Sequence, residues 1–136
     1  MATYHKFDCF VADEANKIHN LASDTLTVAL TDSIPIATNS VIANISQISY
    51  TNLSSRNITT TSSTQTSGTY KLLLATPLTL TASGPVGPFR YVLVYNSSSA
   101  SGSLICWFDY GAENNMVNGD TFIVNFDGTN GLFQQV

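Results

Sequence analysis

The hydrophobic positions of this chain change period once. Over residues 8–22, with Phe7 just ahead, Phe10, Val11, Ala15, Ile18, Leu21 and Ala22 recur at steps of three and four, which lines them along one stripe of a helix. Asp13 and Glu14 come before Lys17 and His19, the order that complements a helix dipole. From Asp24 onward the period is two. In DTLTVALT, Leu26, Val28 and Leu30 point one way, and Thr25, Thr27, Ala29 and Thr31 the other. Residues 32–40 form a loop around Pro35. A weaker strand is expected at 43–49, carrying Ile45 and Ile48. The Ser/Thr-rich run 50–67 reads as an exposed strand at about 56–61 followed by a mobile loop.

The second half is more sharply punctuated. GTYKLLLA (68–75) and PLTLTA (77–82) are strands, and Pro77 marks a strand start or an edge because it cannot donate to a ladder. SGPVGP (83–88) is a fixed-shape turn. FRYVLVYN (89–96) is nearly all apolar and should be a central strand covered on both faces. LICWFDY (104–110) is a second buried strand, GAENNMVNGD a loop, and TFIVNFD (121–127) a cleanly alternating strand. DGTNG then turns the chain into LFQQV, a hairpin signal. Strands in sequence without intervening helices imply antiparallel pairing. The expected fold is mainly β: an antiparallel β-sandwich or flattened barrel of about eight strands with one N-terminal α-helix. It forms a single domain over 1–136, with an N-terminal arm (1–7), a helix (8–22) and a sandwich (24–136).

Composition supports one well-filled core and an unusual surface. At 136 residues and 43% apolar the chain suffices for one domain without a metal or disulfide framework. Charged residues are only 10%, against about 25% in ordinary globular domains. Ser, Thr and Asn supply 45 residues. Hydroxyl- and amide-rich surfaces cost less to desolvate than ionic ones, so they suit packing against neighbours; the plainer reading is a Thr-rich β domain. The five cations, Lys6, Lys17, Lys71, Arg56 and Arg90, are scattered and give no footprint for a phosphate backbone. No apolar run approaches a membrane span. The N-terminal segment carries neither the apolar core nor the cleavage site of a secretion signal. Cys9 and Cys106 are therefore expected as free thiols, and the Asn-x-Ser/Thr triplets at Asn44, Asn52, Asn57 and Asn96 as chance matches.

Residues that could carry chemistry are few. His5 and His19 have no companions at ligand spacing, and no serine lies in a nucleophile motif. Asp109, Glu113, Asp120 and Asp127 sit at strand ends, yet their spacing does not follow a calcium loop. Asp127 before Gly128 is ordinary turn chemistry, and Asp109 is expected to cap or to pair with Arg90, a structural job. The prolines in Gly84-Pro-Val-Gly87-Pro remove the donors that a phosphate cradle needs. Tyr91, Tyr95, Trp107 and Tyr110 read as core before they read as a sugar-stacking platform. No enzyme, catalytic residue, metal or cofactor is expected.

Four stretches carry a family resemblance. FVADEANKIHNLASDTLTVALTDSIPIATNSV, GPVGPFRYVLVYN, LICWFDYG and NGDTFIVNFDGTNG resemble a group of short structural proteins of tailed phages and prophages. The shared features are a helix ahead of a D-T-L-x-V-A-L-T strand, a G-P-F-R-Y strand, a W-x-D-Y-G strand and a final G-x-x-F-x-V-x-F-D hairpin. The chain departs from the group at 50–67, where more glycine is usual. The resemblance implies a virion β-sandwich, made in the bacterial host cytoplasm and placed on the capsid exterior. It would bind the major capsid protein and copies of itself, with no nucleic acid or membrane partner. A capsid decoration, or cement, protein is the first reading. A tail component (tube, terminator or fibre-base subunit) and a receptor- or glycan-binding module are the alternatives. Tyr4, His5, Lys6 and Phe7 in the arm, with Arg56 and Asn57, are the candidate partner contacts, because termini and exposed loops order readily on a partner.

Overall fold

The run FRYVLVY needs cover on both faces, and the computed structural model, which describes residues 2–135, shows where that cover comes from. In chain order the elements are strand β1 (Thr3–Lys6), helix α1 (Cys9–Ala15), strand β2 (Leu26–Thr31), a 3-10 turn (Ile42–Asn44), and strands β3 (Asn57–Ile58), β4 (Thr60–Thr66), β5 (Thr69–Leu74), β6 (Leu78–Thr81), β7 (Val86–Asn96), β8 (Ser103–Met116), β9 (Thr121–Val124) and β10 (Gln134–Gln135). A five-stranded sheet has the order β1-β8-β7-β2-β3, a three-stranded sheet the order β10-β5-β4, and β6 pairs with β9. Every one of these pairings is antiparallel. The fold is mainly β, sandwich-like, with one helix, as the alternation of the sequence predicts.

β7 lies at the centre of the large sheet and buries both faces. On one, Phe89, Val92 and Val94 join Leu26, Val28 and Leu30 of β2 and Ile105 and Cys106 of β8. Leu72 and Leu74 of β5, Leu80 of β6, Val124 of β9, Phe126 and Leu132 close over them from the second layer. On the other face, Tyr91 and Leu93 join Ala29, Leu104 and Trp107 beneath Phe7, with Cys9, Ala37, Ile42 and Ile45 at the margin. The register Leu26↔Asn96 through Thr31↔Tyr91 locks this two-sided pattern, because a slip of one residue would exchange the two faces.

Six differences from the sequence reading have physical causes in the structure. The helix ends at Ala15, not at 22. Lys17 takes a left-handed φ of 63°, the Ile18 N–H donates to Asp13 O (2.9 Å) and the Lys17 N–H to Glu14 O (3.4 Å), the bond pair of a Schellman C-cap. Ile18 and Leu21 keep helical spacing without being helical. The arm is not free: residues 3–6 are β1, paired Thr3↔Asp109 to Lys6↔Cys106. In place of a strand at 43–49 there is the 3-10 turn, held by Asn44 Oδ1 accepting the Ser40 and Val41 N–H groups, and then a single bridge Thr31↔Gln47. The expected mobile loop after 61 is β4, and β3 and β4 carry one run of chain from the first sheet into the second. β8 continues through Gly111 to Met116, where an exposed loop was expected. The Asp127 turn forms, its Oδ1 accepting the Thr129 and Asn130 N–H groups at 2.8 Å each. It does not close a hairpin, since β9 pairs with β6 and β10 with β5. Gly131 is required there: a Cβ would lie 2.5 Å from Leu72 O, and its φ is +85°.

Phe7 tests how firmly the N-terminus is built in. Its ring is fully buried and 4.6 Å from that of Trp107. Phe7→Ala should therefore lower unfolding stability by about 3–5 kcal/mol, the usual cost of a buried aromatic truncated to a methyl. Urea denaturation followed by Trp107 fluorescence reads it directly, and a loss near zero would show that the arm is detachable.

Candidate interaction surface

Of the six candidate contacts, Tyr4, His5 and Lys6 lie together on β1, an edge strand whose residues are all exposed. They are placed by alternation along a strand anchored at its end by Phe7, whose N–H donates to Ile105 O at 3.0 Å. Tyr4 meets Phe108 edge-on (centroids 5.5 Å), and His5 stacks on Trp107 at 4.8 Å with 19° between the planes. Phe7 is core and is not available to a partner.

Beside β1, between the large sheet and the segment 125–132, two adjoining cavities share Phe108 as a wall. One, of about 490 Å³, is lined by Ala2, Phe108, Tyr110 and Asn125; the other, of about 220 Å³, by Tyr4, Phe108, Asp127, Gly131 and Leu132. Together they form an aromatic-floored groove with an amide and a carboxylate on its rim. Backbone and side-chain N–H bonds from residues 129 and 130 hold the Asp127 carboxyl below its ordinary value, so the rim carries a fixed negative charge. A free strand edge next to an apolar groove can receive an extended segment. The edge supplies main-chain hydrogen bonds, and the groove takes alternate side chains.

Arg56 and Asn57 are elsewhere. Asn57 opens β3 and Arg56 precedes it, at the opposite edge of the same sheet, four strand spacings or roughly 19 Å from β1. Arg56 is engaged inside the protein: Nη1 donates to Val28 O at 2.6 Å, and the guanidinium lies 3.6 Å from the Tyr50 ring centroid. Asn57 Oδ1 accepts from Thr27 Oγ1 at 3.0 Å. The two groups of candidates do not form one site.

The ionisable groups are structural in their contacts. Arg90 and Asp109 make a bidentate pair (Nε–Oδ1 2.8 Å, Nη2–Oδ2 3.1 Å), and the guanidinium draws the carboxyl below its ordinary value. Asp120 Oδ2 accepts the Val117 N–H at 2.9 Å, and Glu113 is exposed. Among the described residues no group of three His, Cys, Asp or Glu side chains is placed to hold a metal, and no helix is long and apolar enough to cross a membrane. Cys9 and Cys106 are free thiols. Burial, reinforced by Asp13, pushes the Cys9 thiol up to about 11, and burial pushes that of Cys106 up as well, so both are weak nucleophiles.

A polar cluster around Asn96 has no counterpart in the sequence reading. This fully buried amide accepts the Ser98 and Ser99 N–H groups at Oδ1 and donates from Nδ2 to Asp24 Oδ2 and to His19 Nδ1 (2.9 Å). His19 Nδ1 must then be an acceptor, which puts the proton of the neutral ring on Nε2, facing Asp13 Oδ2 at 4.0 Å. The Asn96 triplet, buried in this way, presents no acceptor for a glycan.

Comparison with protein-family models, curated proteins and solved structures finds no match to this chain.

The His19 cluster sets a pH dependence. Burial lowers the pKa of His19 from 6.5, more than the nearby Asp13 and Asp24 raise it. The unfolded chain therefore takes up this proton first, so the contribution is complete above the ordinary histidine range and is lost as pH falls through it. The urea midpoint should drop between about pH 7 and about pH 5.5. His19→Asn, which retains an acceptor for Asn96, should flatten that drop; an unaltered profile in the variant would assign the drop to other groups.

Proposed function

We propose that this chain is a non-enzymatic structural protein of a tailed-phage virion, a capsid decoration protein. It binds the major capsid protein on the capsid exterior and stabilises the shell. The observation that carries this reading is the β1 edge with its aromatic groove, set on a rigid double-sided core. Such a surface holds an extended segment of a neighbouring subunit by strand addition. The low-charge, hydroxyl- and amide-rich exterior supports it, since broad contacts can be made without stripping water from many ions. The resemblance of four stretches to phage structural proteins supplies the choice of particle. Repetition around a symmetric shell lets a modest single contact act effectively.

The tail alternative places the same edges in a ring, and the glycan alternative needs exposed rings. Trp107 and Tyr91, two rings of the platform considered from sequence, lie in the core.

Capsids lacking this protein, mixed with it, pelleted and counted, provide the test. Saturable binding is expected at a stoichiometry set by a capsid symmetry site. Tyr4→Ala and Lys6→Glu should each weaken it at least about tenfold, or about 1.4 kcal/mol, with thermal melts confirming that both variants fold. Absence of binding, with rings or tubes of the protein alone in micrographs, would move the protein to the tail.

A further inference from the structure

The free edge of β4 is the longest uncharged edge of the fold. β4 ends the three-stranded sheet, and among the described residues no strand pairs with its outer side. Exposed edges are ordinarily blunted by lysine, proline or short length. β1 carries Lys6, β3 and β10 are two residues each, and β6 and β9, the two strands of the smallest sheet, are only four residues each. β4 runs for seven residues with neither charge nor proline, inside a stretch from Asn57 to Tyr70 that holds no charged residue at all.

The β4–β5 hairpin fixes which backbone groups point outward. Its turn is two residues, Ser67 and Gly68, both at positive φ (52° and 82°), the type I′ geometry, with Thr66 opposite Thr69. In such a hairpin the residues flanking the turn exchange both hydrogen bonds, and bonded and non-bonded pairs alternate from there. Thr66, Thr64 and Ser62 thus spend their N–H and C=O groups on β5. Gln65 and Ser63 direct theirs away from it, to the open side. The side chains of Gln65 and Ser63 are already committed, to the Gly68 N–H and the Tyr70 hydroxyl.

We propose that β4 is a self-association edge, pairing antiparallel with β4 of a second copy about a two-fold axis at Thr64. Ser63 of one copy then exchanges both backbone bonds with Gln65 of the other, and the reverse, giving four hydrogen bonds. A two-fold copy presents the matching pattern automatically, because the same donors and acceptors meet in reversed order. Neutrality of the strand removes the like-charge repulsion that opposes such pairing elsewhere. The result is a six-stranded sheet, β10-β5-β4 continued through its symmetry mate. No capsid is needed for this pairing, so it stands or falls separately from the role proposed above.

At the axis the two Thr64 residues face each other as a non-bonded pair, with Cα atoms about 4.5 Å apart, inside the range of about 4.4–6.8 Å that a disulfide spans. Thr64→Cys should therefore form an interchain disulfide under air oxidation on the order of tenfold faster than Thr79→Cys, an exposed control on β6. Thr64→Glu faces Lys71 within its own hairpin and a second glutamate across the axis. It should keep the thermal melt of the parent and abolish the monomer–dimer equilibrium that sedimentation velocity should detect in the unsubstituted protein at millimolar concentration. Equal crosslinking of the two cysteine variants overturns the pairing, and so does a strictly monomeric parent or a Thr64→Glu variant that still dimerises.

Discussion

Two-sided burial of β7 is the constraint from which the rest of the molecule follows. A strand whose alternate residues are Tyr91 and Leu93 on one side and Val92 and Val94 on the other has no solvent face, so both sides must be covered. β2 and β8 flank it, the smaller sheets close one face, and the other is left to Phe7, Trp107 and the loop carrying Ala37, Ile42 and Ile45. That loop and the N-terminus are therefore structural, and the polar groups they bring in have to be satisfied locally. Asn39, Asn44 and Thr31 do this with side-chain bonds to backbone. Such bonds explain much of the Ser, Thr and Asn excess: hydroxyls and amides take over turn-fixing without placing ions against an apolar layer.

Much of the core was legible, because burial writes itself into period. The alternation of Leu26, Val28 and Leu30 against Ala29 matches the two faces found, and FRYVLVYN was recognisable as central from its lack of polar positions. What escaped was decided by backbone conformation or by contacts remote in sequence. The helix stops at a left-handed Lys17, a position usually taken by glycine, while Ile18 and Leu21 go on mimicking helical spacing. β4 is strand because β5 lies beside it, although a run of Ser and Thr carries no apolar period. β8 extends past Tyr110 because its partner β7 already begins at Val86, within what the prolines suggested was only a turn.

The candidate surface was legible to the same degree and for the same reason. Tyr4, His5 and Lys6 are polar or amphipathic residues near a terminus, and they do lie on an exposed edge. Phe7 fails as a contact since nothing local reveals that Trp107 waits beneath it. Arg56 fails because Tyr50 and the Val28 carbonyl, which hold it, are brought there by the fold. The groove along β1 combines Phe108 and Tyr110 of β8 with Asn125 and Asp127 from the segment after β9, and no linear motif could have announced it.

The two long-standing problems of a β protein, covering its core and managing its edges, are thus solved by different chemistry here. Lys6 makes β1 a poor match for a copy of itself, and in the role proposed above it leaves β1 to a partner of other composition, whose side chains the groove would read. β4 lacks any such discriminating charge, and its outward groups come in an order that a reversed copy of the same strand satisfies in full. A chain with five cations and nine anions has little electrostatic means of choosing partners at long range. Selection must then rest on short-range geometry: which backbone groups face outward, and which side chains stand over them. In this fold those two properties differ between its edges, which is the physical basis for assigning them different partners.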